Sequence, residues 1–140
     1  MSIIHTDKAP APVGLYPHAR RVGNLLFLSG IGPRDPRDSQ HIPGLALDKN
    51  GNFVNFDFEA QCRSVFDNVR AVLEAAGSSW ANLIDVTVFL VDMKRDFTTY
   101  NRLYAEYFQD NQPCRTTVEI SSLPTPIAIE LKCIATVGEQ

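Results

Sequence analysis

The sequence predicts an α+β fold: a mixed β-sheet with two helices packed on one of its faces. Three observations lead there. Apolar residues recur at helical spacing in two segments, about 58–76 and about 97–108. The remaining ordered segments are short and β-branched or aliphatic. Their order, β-β-(β)-α-β-α-β-β, lacks the regular alternation of a doubly wound sheet. A chain of 140 residues without internal repeats fits one domain over 1–140.

The elements follow in chain order. Residues 7–13 are proline-rich and should be extended. Residues 14–29 read as two strands joined by a tight turn at Val22-Gly23-Asn24-Leu25. Residues 31–55 carry Gly-Pro, Asp-Pro, Ile-Pro-Gly and Asn-Gly signals. They read as a long loop, closed by a turn at 49–52 and a short strand at Phe53-Val54. Ordered loops of that length are often functional. The first helix has Asp57 as N-cap and Gly77 as C′ residue. Cys62, Val65, Phe66, Val69, Val72, Leu73 and Ala76 form its apolar stripe. Arg63, Ser64, Asp67, Arg70 and Glu74 make the opposite, wet face. Residues 84–91 are a β-branched strand. The second helix takes Asp96 as its N-cap, and residues 116–120 and 127–136 are two more strands.

Two helices cover one face of such a sheet. The last strand shows what the other face carries. Ile127, Ile129, Leu131, Cys133 and Ala135 point one way; Ala128, Glu130, Lys132 and Ile134 point the other. The second set is too apolar for open water, yet it holds two charges. A self-associating surface lined by a polar site fits it.

Composition excludes several classes. The net charge is −3, which argues against nucleic acid as partner. No apolar run reaches membrane-spanning length. The N-terminal residues lack the pattern of a signal peptide, so a cytoplasmic location is expected. Cys62, Cys114 and Cys133 are odd in number and unpaired in spacing, and His5, His18 and His41 are scattered. Neither a disulfide framework nor a metal site is expected.

Several stretches resemble one family. Leu25-Leu26-Phe27-Leu28-Ser29-Gly30 is similar to the strand and Ser-Gly pair of the RidA (YjgF-like) proteins. Phe58-Glu59-Ala60-Gln61 through Asn68-Val69-Arg70-Ala71-Val72-Leu73-Glu74-Ala75-Ala76-Gly77 resembles their first helix. Val86-Thr87-Val88-Phe89-Leu90-Val91-Asp92-Met93 resembles the strand that follows. Asn101 with Tyr104-Ala105-Glu106-Tyr107-Phe108 resembles the second helix. Pro113-Cys114-Arg115-Thr116-Thr117-Val118-Glu119 resembles the Pro-x-Arg-x-x-x-Glu signature, and Ile129-Glu130-Leu131-Lys132-Cys133-Ile134-Ala135 the last strand. The likeness spans nearly the whole chain except residues 31–55. It implies a chorismate-mutase-like fold, a homotrimer with sites between subunits, and cofactor-free hydrolysis of an enamine or imine to a ketone and ammonia.

The resemblance also implies roles for residues. Arg115 would grip the substrate carboxylate, since a planar guanidinium matches a carboxylate with two parallel hydrogen bonds. Glu130 would orient water and move a proton. Tyr16 would line the site or serve as a core aromatic, and Ser29 would bind substrate or cap its strand. Asn101 would line the cleft or stay solvated, and the backbone at Cys114 would lie beside the substrate. His18 is a further candidate. Two positions depart from the family. Thr117 stands where many members have cysteine, and Ile31 where many have glutamine. A cysteine-dependent mechanism is not expected.

The stretch 31–44 adds Arg34, Arg37 and His41, with Arg20 nearby in sequence. Extra cations beside a carboxylate clamp point to a second anionic group on the substrate. That pattern resembles the 2-aminomuconate deaminase branch, whose substrate is an enamine with two carboxylates. It yields 4-oxalocrotonate (2-oxo-3-hexenedioate) and ammonia in the breakdown of 2-aminophenol-type aromatics and tryptophan. Two other readings stand beside it. One is a general deaminase of 2-aminoacrylate or 2-iminobutanoate. The other is a trimer that binds a small ligand without reaction.

Overall fold

A computed structural model describes residues 2–38 and 40–138. Met1, Ser39, Glu139 and Gln140, which belong to stretches read above, lie outside the described residues. Among the described residues there are eight strands: β1 (Ser2–Ile4), β2 (Ala19–Val22), β3 (Leu25–Leu28), β4 (Leu45–Leu47), β5 (Phe53–Phe56), β6 (Leu83–Leu90), β7 (Cys114–Glu119) and β8 (Ile129–Thr136). Two helices, α1 (Phe58–Ala75) and α2 (Met93–Tyr107), join them. Six strands form one sheet in the order β1-β2-β3-β8-β6-β7, while β4 and β5 form a separate hairpin. Only the β6–β7 pairing of the six-stranded sheet is parallel. The α2 crossover supplies the length that a parallel pair needs.

Both helices lie on one face. The α1 stripe of Cys62, Val65, Phe66, Val69, Val72 and Leu73 is buried, as its spacing predicts. Beneath it are Leu26 and Leu28, then Val86, Val88 and Leu90, then Ile129, Leu131, Cys133 and Ala135. Each full burial of such a side chain contributes about 1.5–3 kcal/mol. Aromatic rings from the two helices meet at Phe66, which contacts Trp80, Tyr100, Tyr104, Tyr107 and Phe108.

Among the described residues no helix covers the opposite sheet face. Ile3, Val22, Leu25 and Phe27 lie on it and are exposed. Arg20, Phe27, Ile134, Asp85 and Cys114 form one continuous row across it. Ala128 is not part of this face. It is fully buried, because β8 begins one residue later.

Several boundaries differ from the sequence reading. β1 forms where no strand was expected, by pairing with β2. The first hairpin occupies 19–28 rather than 14–29. The loop 31–55 contains β4 and all of β5 except its last residue, Phe56. Asp57 and Gly77 act as expected: the Asp57 carboxylate accepts from the Ala60 amide, and Gly77 has φ +79°. α2 begins at Met93, capped by Asp92 and not by Asp96. Asp96 is buried inside the first turn, where Arg95 donates two hydrogen bonds to it, both 2.8 Å. An aspartate held that way cannot serve as the cap. Among the described residues no helix is long and apolar enough to cross a membrane.

Candidate active site

The strand β3 leaves β8 after Phe27, and the chain returns at Ile31, which exchanges two backbone hydrogen bonds with Leu131. Ser29 and Gly30 bow outward between these points. The bow is tied down: the Ser29 amide donates to the His18 carbonyl, and Ser29 Oγ donates to the Pro17 carbonyl at 2.7 Å. Lys132 Nζ donates to the Leu28 carbonyl left over where the ladder opens. Lys132 therefore braces the bow, rather than pairing with Glu130.

Glu130 occupies the space the bow creates. A Cβ built on Gly30 would lie 2.5 Å from Glu130 Oε2, so only glycine leaves room for this carboxylate. Burial raises the Glu130 pKa above its ordinary 4.5, and the charge of Arg34 opposes part of that rise. The carboxylate lies in a cavity of about 120 Å³ that also meets Tyr16, Gly30, Arg34, Thr125 and Ile127. Tyr16 is half exposed, and its hydroxyl accepts from the Val13 amide at 3.2 Å; it is no core aromatic.

His18 borders the same region but is committed elsewhere. The Thr6 amide donates to its Nδ1 at 3.2 Å, so the ring proton sits on Nε2, which donates to the Pro10 carbonyl at 2.8 Å. This buried histidine holds residues 6–10 in place and has no ring nitrogen left for a substrate. Its role corrects the expectation that it binds substrate directly. Ser29, likewise, spends its hydroxyl proton on Pro17 and keeps only acceptor capacity.

The loop after the bow is pinned to α1. Asn68 Nδ2 donates to the Gly32 and Arg34 carbonyls at 2.9 and 2.8 Å, and Ser64 Oγ donates to the Pro33 carbonyl at 2.7 Å. Ser64 is thus half-buried under the loop and not on a wet face. On the other side, Gln61 Oε1 accepts from the Ala128 amide at 2.9 Å. Arg34 donates to the Ala11 carbonyl at 2.6 Å while its side chain borders the Glu130 cavity. Arg37 is paired with Asp35 at 3.0 Å and points into solvent. His41 lines a second, larger cleft that also contacts Arg34.

A separate constellation surrounds Arg115. Arg115 Nε donates to Thr117 Oγ1 at 2.9 Å and Nη2 to Asn101 Oδ1 at 2.7 Å. Its guanidinium rests 4.7 Å from the Tyr104 ring centroid, with Tyr100 and Phe97 at 5.3 and 5.8 Å. Asn101, Phe97 and Tyr104 share one face of α2. The guanidinium is fixed on three sides, while Nη1 and one Nη2 proton remain to meet an anion.

The two constellations do not meet within one chain. Glu130 aligns with Phe89 and Val118 on the helix-free face. Arg115 aligns with Val86 and, across β6, Cys133 on the helix-covered face. A catalytic pair of Arg115 and Glu130 inside a single chain is therefore excluded. Cys114 points opposite to Arg115, toward the open face, so only its backbone shares the arginine's surroundings. Among the described residues no three His, Cys, Asp or Glu side chains converge as metal ligands.

The family model described as endoribonuclease L-PSP matches residues 6–137. A RutC family protein of Pyrococcus horikoshii is 43% identical over 133 residues, covering 95% of both chains. Reactive Intermediate Deaminase A of Arabidopsis thaliana, a chloroplastic protein, is 36% identical over 134 residues, covering 96% of this chain and 65% of that one. This chain belongs to the RidA family. A solved structure, E. coli TdcF with bound serine, superposes with a TM-score of 0.84 at 32% identity, covering 99% of this chain and all (100%) of that one. The chorismate-mutase-like α+β fold implied by the sequence is the fold observed. Sequence reasoning missed three parts of this candidate site: Gly30 as the seat of Glu130, Thr117 as a partner of Arg115, and the aromatic bed of Phe97, Tyr100 and Tyr104. The i, i+4 spacing of Tyr100 and Tyr104 and the i, i+7 spacing of Phe97 and Tyr104 were the available signals, and they read equally well as core.

Proposed function

We propose that the protein is a cofactor-independent enamine/imine deaminase, working as a homotrimer in the cytoplasm. Each site joins the Glu130 half of one copy to the Arg115 half of its neighbour. One observation carries the reading: a half-buried carboxylate of raised pKa and a braced guanidinium are built separately on opposite faces of one chain. Each half is incomplete alone. Head-to-tail contact of copies supplies the missing half at every interface, and such contacts close into rings. The apolar side chains on the open face favour that association.

The chemistry follows from the groups. Arg115 holds the carboxylate next to the reacting carbon and fixes its plane. Tautomerisation, with one proton gained at carbon and one lost from nitrogen, gives the imine. Glu130 takes a proton from water as its oxygen bonds to C2, giving a carbinolamine. Glu130 passes that proton to the nitrogen, which departs as ammonia while the hydroxyl gives up its own proton, leaving the ketone and a net consumption of one water. A carboxyl with a raised pKa exchanges protons more readily near neutrality. Water is the only co-reactant.

As substrate we propose 2-aminomuconate, which would give 4-oxalocrotonate and ammonia. The support is Arg34, a loop cation beside the Glu130 cavity and suited to a second carboxylate. The broader reading, a deaminase of 2-aminoacrylate-type intermediates, is favoured by the name of the Arabidopsis relative. A pure binding role is favoured by the serine held in the E. coli relative. The net charge of −3 weighs against RNA as the substrate.

The test generates 2-aminomuconate in situ and follows its ultraviolet absorbance and ammonia release. A parallel assay uses 2-aminoacrylate made by a dehydratase, with Arg115→Ala as control in both. Faster, Arg115-dependent turnover of 2-aminomuconate supports the proposed substrate. Turnover of 2-aminoacrylate alone supports the broader deaminase, and turnover of neither supports ligand binding.

A further inference from the structure

Beyond Arg34 lies a second cleft of about 390 Å³. Its wall is formed by Ile42, Leu45 and Leu47, with Arg34 and His41 also lining it. Arg34 and Thr125 line both this cleft and the Glu130 cavity, so the two spaces adjoin through them. The cleft lies between the β4–β5 hairpin side of the long loop and the 125–126 segment, and Asn68 holds the loop at the Arg34 carbonyl. An aliphatic wall next to a guanidinium and an imidazole suits a carbon chain that ends in an anion. A small substrate with one carboxylate would use none of it.

We infer that this cleft is the subsite for the distal end of the substrate, with the carbon chain against Ile42, Leu45 and Leu47 and a terminal carboxylate between Arg34 and His41. The inference rests on the deaminase reading above and adds to it a rule for substrate length and charge. Long, anionic tails are selected; long apolar tails come second; short tails come last. His41 and the aliphatic wall are the specificity-determining groups, because they border the cleft without bordering the Glu130 cavity.

The test keeps the reacting head constant and changes the tail. An amino-acid oxidase generates 2-imino acids in situ from 2-aminobutyrate, norleucine and 2-aminoadipate. Semicarbazide trapping measures how fast each imine is removed by the purified protein. The wild type should show the highest kcat/KM for the 2-aminoadipate imine, then the norleucine imine, then the 2-aminobutyrate imine. His41→Ala should lower the ratio of the first to the second by about tenfold, the effect of losing one charge-assisted hydrogen bond. Leu47→Glu, at an exposed position, should lower the same ratio by placing a like charge in the cleft. Equal kcat/KM for all three imines in the wild type, or a ratio unmoved by both variants, overturns the inference while leaving the deaminase reading intact. No turnover of any imine by the wild type overturns the reading beneath it.

Discussion

Glu130 illustrates how much one side chain depends on its neighbours. Its carboxylate lies where a Cβ on residue 30 would be, so Gly30→Ala should displace the carboxylate and leave the fold in place. Steady-state kinetics should then show a fall in kcat of tenfold or more with KM little changed, on the order expected when a general base is misplaced. Burial raises the Glu130 pKa, which fixes the sign of its effect on stability. The proton is bound more tightly in the folded chain, so the favourable contribution is complete below the ordinary pKa and is lost as pH rises through the raised value. Glu130→Gln carries no such loss. Its melting temperature relative to wild type should rise as pH climbs from the ordinary carboxylate range through the raised value, and a constant difference would refute this. Glu130 was legible in the sequence through strand alternation, and Arg115 through its motif. Gly30 and His18 were not, because a close approach and the partners of two ring nitrogens are set by chain segments far apart in sequence.

At the level of elements, α1 was the most legible part, because cap, stripe and C′ glycine all agreed. Asp57→Ala should cost about 1 kcal/mol in chemical denaturation by removing the bond to the Ala60 amide. The start of α2 was misjudged because two aspartates four residues apart both suit an N-cap. The structure buries Asp96 against Arg95, which itself lies over the Phe56 ring, and leaves Asp92 to cap. The loop 31–55 was recognised as long and turn-rich, but its anchoring was hidden. Asn68 and Gln61 sit on a helix whose pattern reads as a simple amphipathic stripe, yet they are buried and serve the two segments that frame the site.

For the molecule as a whole, the sequence already required that one sheet face find a cover, since two helices suffice for only one. It did not show that the candidate site would divide. That division depends on which face of β7 receives Arg115, and a parallel pairing with β6 decides it. Phe27 lies on the open face, 36% exposed, in the row that includes Arg20 and Ile134. Phe27→Asp should break the proposed assembly. Light scattering should report a mass near 15.6 kDa for the variant, with turnover lost although Phe27 touches neither half-site.

A site divided between opposite faces of one chain has a genetic consequence. Two inactive alleles, Arg115→Ala and Glu130→Gln, should complement each other when expressed together. In a head-to-tail ring of randomly mixed subunits, about a quarter of contacts would join an intact arginine half to an intact glutamate half. Conversely, a double-mutant subunit that still assembles should act as a dominant inhibitor, because each copy spoils the contact on either side of it.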